Sequence, residues 1–208
     1  MITLSSLITI IISLVLLALV ETLRRTTHAP VYITRKLAHF GGAGIAFFSP
    51  YFLEKAEIIL ICFALITCLL ITRKTKILSS VQGVDRTTFG ELFLPLGVII
   101  STLLFLPENL SAFQFGILVM GISDGLAGII GEKFAKNYFF VFSHKKSLTG
   151  TAVFFITCLL IALFFTPLLP INAFAAAFIL TACELTLGYG LDNLLLPVIG
   201  GILMLLFT

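Results

Sequence analysis

Eight apolar segments, separated by short polar loops, occupy most of this 208-residue chain. An α-helix needs about 20 apolar residues to cross the hydrocarbon core of a bilayer, so the chain has room for about eight spans. Hydrophobic residues make up 59% of it and charged residues 11%, well below the roughly 25% typical of soluble domains. The pattern predicts an all-α integral membrane protein, a polytopic bundle forming a single transmembrane domain over residues 1–208. The predicted helices cover residues 3–20, 36–53, 57–72, 91–106, 112–131, 149–168, 171–187 and 193–207.

The basic residues indicate which ends of these helices lie on the same side of the membrane. With eight spans, every Lys and Arg except Lys55 falls on one side. Cytoplasmic loops carry the excess of basic residues in membrane proteins, so this side is predicted to be cytoplasmic and both termini to lie outside. Seven spans are the alternative, but that count breaks the alternation of charge. We therefore expect a multi-pass protein, in the cell membrane if the source is prokaryotic, with its active site at the cytoplasmic face.

Neither the N-terminus nor the four cysteines point to processing or to a redox site. Residues 1–20 have no basic region ahead of the apolar run, which predicts a first transmembrane helix rather than a cleaved signal. The cysteines lie within apolar runs and form no Cys-x-x-Cys pair, so we interpret them as small buried hydrophobes. No nucleic-acid partner is expected, and the sequence does not indicate an oligomeric state.

An aspartate, Asp124, lies inside the apolar stretch from Gly116 to Ile130. A carboxylate there costs about 2.5–3.5 kcal/mol on insertion scales, so such a residue usually has a function or a charged partner. Glycines recur around it, at Gly121, Gly125, Gly128 and Gly131. They leave room for close helix packing or for a ligand. The alternatives are a structural ion pair with a Lys or Arg, and a metal or phosphate site near the membrane surface.

Basic residues at the start of the second and sixth predicted helices indicate anion binding. Lys145 and Lys146 precede Ser147, a predicted N-cap, and the start of its helix offers free N–H groups to a phosphate. Arg35 and His39 are one turn apart on the second helix and share a face, which predicts a further edge of an anion site. Basic residues that simply obey the positive-inside rule are the structural alternative.

Further polar residues surround the connection between the last two helices. Glu184 ends the seventh predicted helix, and the segment Gly188-Tyr-Gly190 is predicted to turn the chain towards Asp192 and Asn193. Pro197 has no N–H, so the carbonyl of Asn193 lacks its usual helical partner. Carboxylate and carbonyl oxygens are ligands suited to Mg²⁺, so these residues predict a magnesium site. Helix capping is the alternative for Asp192.

The longest polar loop, residues 73–90, offers weaker signals. Thr88 and Glu91 have the spacing of a capping box for the fourth helix. Asp85 and Arg86 are left as weak candidates for a contact with a nucleotide.

The order of these motifs resembles the CTP-dependent polyprenol kinase family, which includes dolichol, phytol and farnesol kinases and a CTP-using diacylglycerol kinase. The resemblance covers residues 35–197 and rests on five short motifs. They are Arg35-Lys-x-x-His39, Thr88-Phe-Gly-x-x-x-x-Pro95-Leu-Gly97, Asp124-x-x-Ala127-x-x-x-Gly131, Lys145-Lys-Ser-x-x-Gly150, and Glu184 followed by Asp192-Asn193-x-x-x-Pro197. Ser123, Ala135 and Thr149 depart from the family's pattern, which bears on the fit of the nucleotide.

The resemblance implies transfer of the γ-phosphoryl group of CTP, or of another nucleoside triphosphate, to the primary hydroxyl of an isoprenoid alcohol, with Mg²⁺ as cofactor. The residues expected to be catalytic are Asp124, Lys146, Glu184 and Asp192. The three acids are also the expected metal ligands, and Asp124 either binds the metal or accepts the hydroxyl proton. The residues expected to bind the nucleotide are Arg35, Lys36, His39, Ala127, Gly128, Gly131, Lys145, Ser147, Gly150 and Asn193.

Other functions fit the same residues. A CTP-dependent cytidylyltransferase or a diacylglycerol kinase would act on a different lipid acceptor at a similar site. An ion or solute transporter would use Asp124 and Glu184 as a coupling site, although the unusual polar residues fall on one membrane side. The sequence does not distinguish CTP from ATP, and it does not fix the length of the acceptor.

Overall fold

A computed structural model describes residues 3–75, 77–83, 88–142 and 144–208, which form a helical bundle with one short β-hairpin. The helices are α1 (Leu4–Thr27), α2 (Val31–Phe48), α3 (Lys55–Thr75), α4 (Ser79–Gln82), α5 (Gly90–Phe105), α6 (Leu110–Leu118), α7 (Gly125–Phe134), α8 (Leu148–Phe165), α9 (Pro170–Thr186) and α10 (Asp192–Phe207). A π-helical turn, Val119–Asp124, joins α6 to α7. Strands β1 (Tyr138–Val141) and β2 (His144–Ser147) pair antiparallel. The hairpin is an element that the all-α prediction did not include.

Each predicted helix corresponds to a helical stretch of the bundle, with the largest boundary shifts in the first two. α1 continues to Thr27, past its predicted end at residue 20, and α2 begins at Val31 rather than at residue 36. Pro30 directly precedes α2, and proline suits a helix start because it has no N–H to leave unpaired. The extension of α1 contains an ion pair between residues one helical turn apart, in which Arg25 Nε donates to Glu21 Oε1 at 2.7 Å.

Within the described part of the chain, four helical stretches have the length and apolar composition needed to cross a membrane. They are α1, α3, the continuous stretch Leu110–Phe134, and α8. α5, α9 and α10 are apolar but shorter, with 16, 17 and 16 residues. The protein is therefore an all-α membrane protein, as predicted from hydropathy. The count of eight spans and the location of the termini stay predictions.

Hydrogen bonds between helix ends show which ends lie together in the bundle. At one end, Arg73 near the end of α3 donates to Glu91 at the start of α5, at 2.8 Å. At the other end, Ser6 at the start of α1 donates to Glu57 at the start of α3, at 2.6 Å. We call the first the basic end: α2, α5, α8 and α10 begin there, and every described Lys and Arg except Lys55 lies near it.

Glycines allow close packing at the centre of the bundle, where α6 lies against α10. A Cβ atom added at Gly116 would overlap the backbone of Pro197. A Cβ added at Gly200 would lie 3.0 Å from the Cα of Gly116. In the π-helical turn, a Cβ at Gly121 would lie 2.5 Å from the Cβ of Ala43 in α2. Large side chains with almost no exposure surround these contacts: Phe113, Phe115, Phe154, Leu180 and Leu196. The stretch from α6 to α7 is thus the central element, and Asp124 lies on it.

Gly116→Ala is expected to destabilise the protein by about 1–3 kcal/mol, because the added methyl overlaps backbone rather than a flexible side chain. The measurement is thermal unfolding in detergent, followed by helical circular dichroism. Gly44→Ala is the matched control, since no atom lies within 4 Å of a Cβ at Gly44 and both changes alter helix propensity equally. Equal unfolding midpoints for the two variants would contradict the packing of α6 on α10.

Candidate active site

A polar cavity of about 480 Å³ lies at the basic end, between α2, α7, α9, the hairpin and the starts of α8 and α10. Every residue predicted to be catalytic, to bind metal or to bind the nucleotide lines this cavity, apart from the weak candidates of the loop 73–90. They are Arg35, Lys36, His39, Asp124, Ala127, Gly128, Gly131, Lys145, Lys146, Ser147, Gly150, Glu184, Asp192 and Asn193. The structure therefore brings the five motifs together, while the chemical role of each residue stays a prediction.

Asp124 ends the π-helical turn and is paired with a lysine from α2. Lys36 Nζ donates to Asp124 Oδ2 at 2.5 Å, and Asp124 is only 5% exposed. The ammonium group supplies the polar partner that a buried carboxylate needs when water is excluded. Gly128 lies one turn further along the same face, and a Cβ there would overlap the side chain of Lys36. The absence of a side chain at Gly128 therefore leaves the space through which the Lys36 side chain reaches the carboxylate.

His39 is buried beside this ion pair. Its Nε2 lies 2.8 Å from the backbone oxygen of Met120 and 3.6 Å from Asp124 Oδ2. Met120 belongs to the π-helical turn, an irregularity that is frequent at functional sites. The imidazole thus contacts both the backbone of the turn and the carboxylate at its end, and it limits the orientations that Asp124 can adopt.

A second lysine–carboxylate pair lines the same cavity. Lys146 of β2 donates to the carboxylate of Glu184 in α9, and to the Glu184 backbone oxygen at 2.6 Å. Side chains alternate along a strand, so the neighbouring Lys145 extends from the opposite face of the hairpin and lines the cavity at its rim. Lys145 is exposed at the rim, and its ammonium lies 3.7 Å from the centre of the Tyr138 ring. The two adjacent lysines, which the sequence treated as one basic group, have different environments.

The start of α8 packs tightly against α7 and forms one wall of the cavity. Ser147 Oγ accepts a hydrogen bond from Gly150 N at 3.1 Å, which confirms Ser147 as the N-cap of α8. A Cβ at Gly131 would lie 2.9 Å from Ser147 Oγ, and a Cβ at Gly150 would lie 3.1 Å from the backbone oxygen of Ala127. These small residues keep the two helices close enough for the cap to face the cavity.

The turn between α9 and α10 closes the cavity on another side. Gly190 has φ of +91°, a conformation that favours glycine, and this confirms the predicted turn. Asp192 is the first residue of α10, and its Oδ1 accepts a hydrogen bond from Asn193 N at 2.9 Å. Asn193 Nδ2 donates to the backbone oxygen of Gly90 at 2.8 Å. Asn193 thereby ties the start of α10 to the start of α5.

Thr88 and Glu91 do not form the predicted capping box. The N-cap residue of α5 is Phe89, without a side-chain cap. Thr88 Oγ1 accepts from Gly90 N at 3.3 Å, but Glu91 is engaged by Arg73 and does not complete the box. Thr88 Oγ1 accepts a hydrogen bond from Arg35 Nη2 at 3.2 Å, and Glu91 Oε1 accepts one from Arg73 Nη1 at 2.8 Å. The two weak nucleotide candidates of this loop lie outside the described residues: Asp85 and Arg86.

Three acids line the cavity without forming a metal cage. The carboxylates of Asp124, Glu184 and Asp192 are near enough for their charges to interact. Among the described residues, however, no group of three His, Cys, Asp or Glu side chains is placed to hold an ion. Lysines engage two of the three acids. Mg²⁺ usually binds through one or two carboxylates together with substrate phosphates, and the residues fit that mode rather than a preformed site.

Aromatic side chains form a part of the cavity wall that sequence reasoning missed. The residues are Tyr32, Tyr138, His144 and Tyr189. His144 packs edge-on against Tyr189, with ring centroids 4.8 Å apart. Three of the four tyrosines of the chain therefore lie at this cavity. These three tyrosines lie in loops or at helix ends on the basic side, and that position is the sequence signal that could have placed them at the cavity.

Comparison with known proteins agrees with the motifs. The chain is 26% identical to a protein named Phytol kinase from Synechocystis sp. over 186 aligned residues, which cover 85% of this chain and 80% of that protein. No protein-family model matches the chain, and no solved structure matches it. The similarity confirms the resemblance seen in the motifs and supports a polyprenol or phytol kinase-like family.

Lys146→Met is expected to destabilise the protein by about 3 kcal/mol, because it leaves the buried Glu184 carboxylate without its partner. Thermal unfolding in detergent measures the change. Lys145→Met is the matched control, since the exposed Lys145 makes no ion pair with the described carboxylates, and it is expected to change stability by about 0.5 kcal/mol or less. Similar losses in both variants would show that the pair with Glu184 contributes nothing specific.

Proposed function

We propose that this phytol kinase-like protein transfers the γ-phosphoryl group of CTP to the primary hydroxyl of an isoprenoid alcohol. The observation that carries the proposal is one cavity lined by two lysine–carboxylate pairs, Lys36–Asp124 and Lys146–Glu184, at the basic end of a membrane bundle. Phosphoryl transfer depends mainly on positioning and charge neutralisation, which such pairs can supply. Similarity to a protein named Phytol kinase supports an isoprenoid alcohol as the acceptor.

The nucleotide binds with its phosphates against the start of α8. The free N–H groups of the helix start and the ammonium groups of Lys146 and Lys145 attract the phosphate oxygens. Lys36 and Arg35 approach from α2, on the other side of the cavity, and clamp the γ-phosphate. An ammonium group has three N–H donors, so each lysine can contact a phosphate oxygen and keep its hydrogen bond to the carboxylate.

Mg²⁺, held by Glu184 and Asp192 together with phosphate oxygens, would neutralise part of the charge on the β- and γ-phosphates. This arrangement uses hard oxygen ligands that line the cavity. It leaves Asp124, the most buried of the three acids, for the acceptor side of the reaction.

The transfer is an in-line displacement at the γ-phosphorus. The alcohol oxygen forms a bond to the γ-phosphorus. The bond between the γ-phosphorus and the oxygen that bridges it to the β-phosphate breaks, and CDP leaves with that electron pair. The hydroxyl proton passes to the carboxylate of Asp124, which acts as the general base. Lys36 and His39 hold this carboxylate in position, at 2.5 and 3.6 Å. The products are the isoprenoid monophosphate, CDP and one proton.

The basic end faces the cytoplasm in this proposal, with eight helices crossing the bilayer and both termini outside. The concentration of basic residues at one end supports this orientation. A nucleotide then enters from water, and an isoprenoid alcohol lies in the bilayer with its hydroxyl near the headgroups. A cavity just inside the membrane surface is accessible to both substrates.

The rival functions make different use of the same residues. A cytidylyltransferase would attach the α-phosphorus of CTP to a lipid phosphate. A transporter would use Asp124 and Glu184 as a coupling site within the membrane. Both acids lie at the same end of the bundle and each bonds to a lysine, which favours a reaction site open to one side.

Purified protein with Mg²⁺, a mixture of isoprenoid alcohols and CTP labelled at either the α- or the γ-phosphorus tests the proposal. Only the γ-label is expected on lipid, because the kinase reaction leaves the α-phosphorus in CDP. The labelled product also identifies the acceptor. Transfer of the α-label would establish cytidylyl transfer instead, and no transfer of either label by folded protein would reject the kinase.

Two variants serve as site controls in the same assay. Asp124→Asn and Lys146→Met are each expected to lower turnover by about 10²-fold or more, because each removes a group that acts on the transferring phosphoryl or on the hydroxyl proton. Lys133→Met removes a basic residue of α7 outside the cavity and is expected to keep wild-type turnover. Near wild-type turnover in both site variants, in folded protein, would rule out this site.

A further inference from the structure

A second cavity, of about 120 Å³, lies between α1, α2, α3 and α5 and adjoins the polar cavity. The two cavities share three lining residues: Arg35, His39 and Asn193. Away from this junction the lining is mainly aliphatic and includes Leu16, Ile61 and Leu94. Lining residues of α2 run from Arg35 to Ser49, so the cavity follows that helix for about 20 Å at 1.5 Å per residue.

The few hydroxyl groups in this second cavity do not make its wall polar. Ser13 Oγ donates to the backbone oxygen of Thr9, and Ser49 Oγ donates to that of Ala46, each at 2.8 Å. Thr9 Oγ1 donates in the same way to the backbone oxygen of Ser5, at 2.8 Å. Each hydroxyl is satisfied within its own helix. The wall therefore offers an apolar surface, long and narrow, that suits a hydrocarbon chain.

α1 separates one side of this part of the cavity from the lipid phase. Its buried residues include Ser13 and Val20, which face the bundle, while Ile11 and Val15 on the other face are 58% and 48% exposed. Leu16 of α1 packs directly over Gly41 of α2, where an added Cβ would lie 2.5 Å from the leucine side chain. A lipid-soluble molecule is thus one helix away from the cavity.

Two buried oxygen atoms of residues that line the second cavity have no hydrogen-bond partner among the described residues: Asn193 Oδ1, at the junction, and Glu91 Oε2. Asn193 is 5% exposed, and its Nδ2 is held by the backbone oxygen of Gly90, which directs Oδ1 away from that contact. The other oxygen of Glu91 accepts from Arg73. Both unpaired atoms are acceptors, and a buried acceptor is costly without a donor. The hydroxyl of an alcohol supplies such a donor.

We propose that the apolar cavity holds the isoprenoid chain of the acceptor. Asn193 Oδ1 accepts the hydrogen bond of its hydroxyl group until the nucleotide binds and the hydroxyl turns its one proton towards Asp124. The inference rests on the proposed function and deepens it, since it assigns the acceptor's own site. The hydroxyl then lies at the junction beside His39, which is 3.6 Å from Asp124. Asn193 acts on the acceptor rather than on the nucleotide. The length of the cavity favours chains of several isoprene units over single ones.

Photo-crosslinking tests the position of the chain without requiring catalysis. Geranylgeraniol that carries a diazirine at its tail is irradiated with the purified full chain in detergent, and adducts are mapped by mass spectrometry. Adducts are expected on the lining residues of α1 and α3, such as Leu16, Ile61 and Leu65, and an excess of plain geranylgeraniol should remove them. Adducts confined to the exposed faces of α8 and α9 would overturn the proposal.

A pair of glycine variants on α2 tests the same site by filling it. A Cβ at Gly42 lies 3.6 Å from Leu94 and faces the cavity, whereas a Cβ at Gly44 has no atom within 4 Å. Gly42→Phe is expected to remove the crosslinks and to lower kcat/KM for geranylgeraniol at least about tenfold, with a smaller loss for prenol, which has a single isoprene unit. Gly44→Phe should retain both the crosslinks and the rate.

The outcomes separate this inference from the proposed kinase. Crosslinks in the cavity of a protein that phosphorylates no alcohol would reject the kinase and retain the chain site. Transfer of the γ-label together with crosslinks elsewhere would retain the kinase and reject the chain site. Equal losses in the Gly42→Phe and Gly44→Phe variants would also reject it. If Gly42→Phe does not fold, the crosslink map of the wild-type protein decides.

Discussion

The ion pair between Lys36 and Asp124 is the interaction on which the rest of the site depends. A carboxylate in an apolar helix needs a cation, and Lys36 reaches it from α2 at 2.5 Å. Glycine at position 128 leaves room for the Lys36 side chain, and the contact fixes the basic start of α2 against the central helix. Lys146 and Glu184 repeat this arrangement between the hairpin and α9. The two pairs hold helices together and, by the same contacts, keep two ammonium groups at one cavity.

Sequence patterns were enough to predict the long helices and most of the charged residues that meet at the cavity. Hydropathy gives the helix positions because each apolar run is long enough to be distinct. Charge then orders the helix ends, since Arg35, Asp124, Lys146 and Glu184 all fall on the basic side of an alternating bundle. The end of a small bundle is narrow, so polar residues that share an end lie close together even when their motifs are far apart in sequence.

Tertiary packing decided the features that the sequence did not predict. The π-helical turn before Asp124 has no local signal, and it lets Met120 present its backbone oxygen to His39. Glu91 has the spacing of a capping residue, but Arg73 from α3 engages it instead. Side-chain alternation in the unpredicted hairpin separates Lys145 from Lys146. Each of these outcomes depends on a partner distant in sequence, which a local pattern cannot supply.

Two cavities of opposite character meet at Asn193, so a polar substrate and an apolar one can reach the same point from different sides. The most direct measurement is an experimental structure with geranylgeraniol and a CTP analogue in which methylene replaces the oxygen between the β- and γ-phosphorus. The proposed site predicts the γ-phosphate between Lys36 and Lys146 and the alcohol hydroxyl at the junction beside Asn193. A nucleotide bound away from both lysines, or an alcohol bound away from the junction, would contradict it.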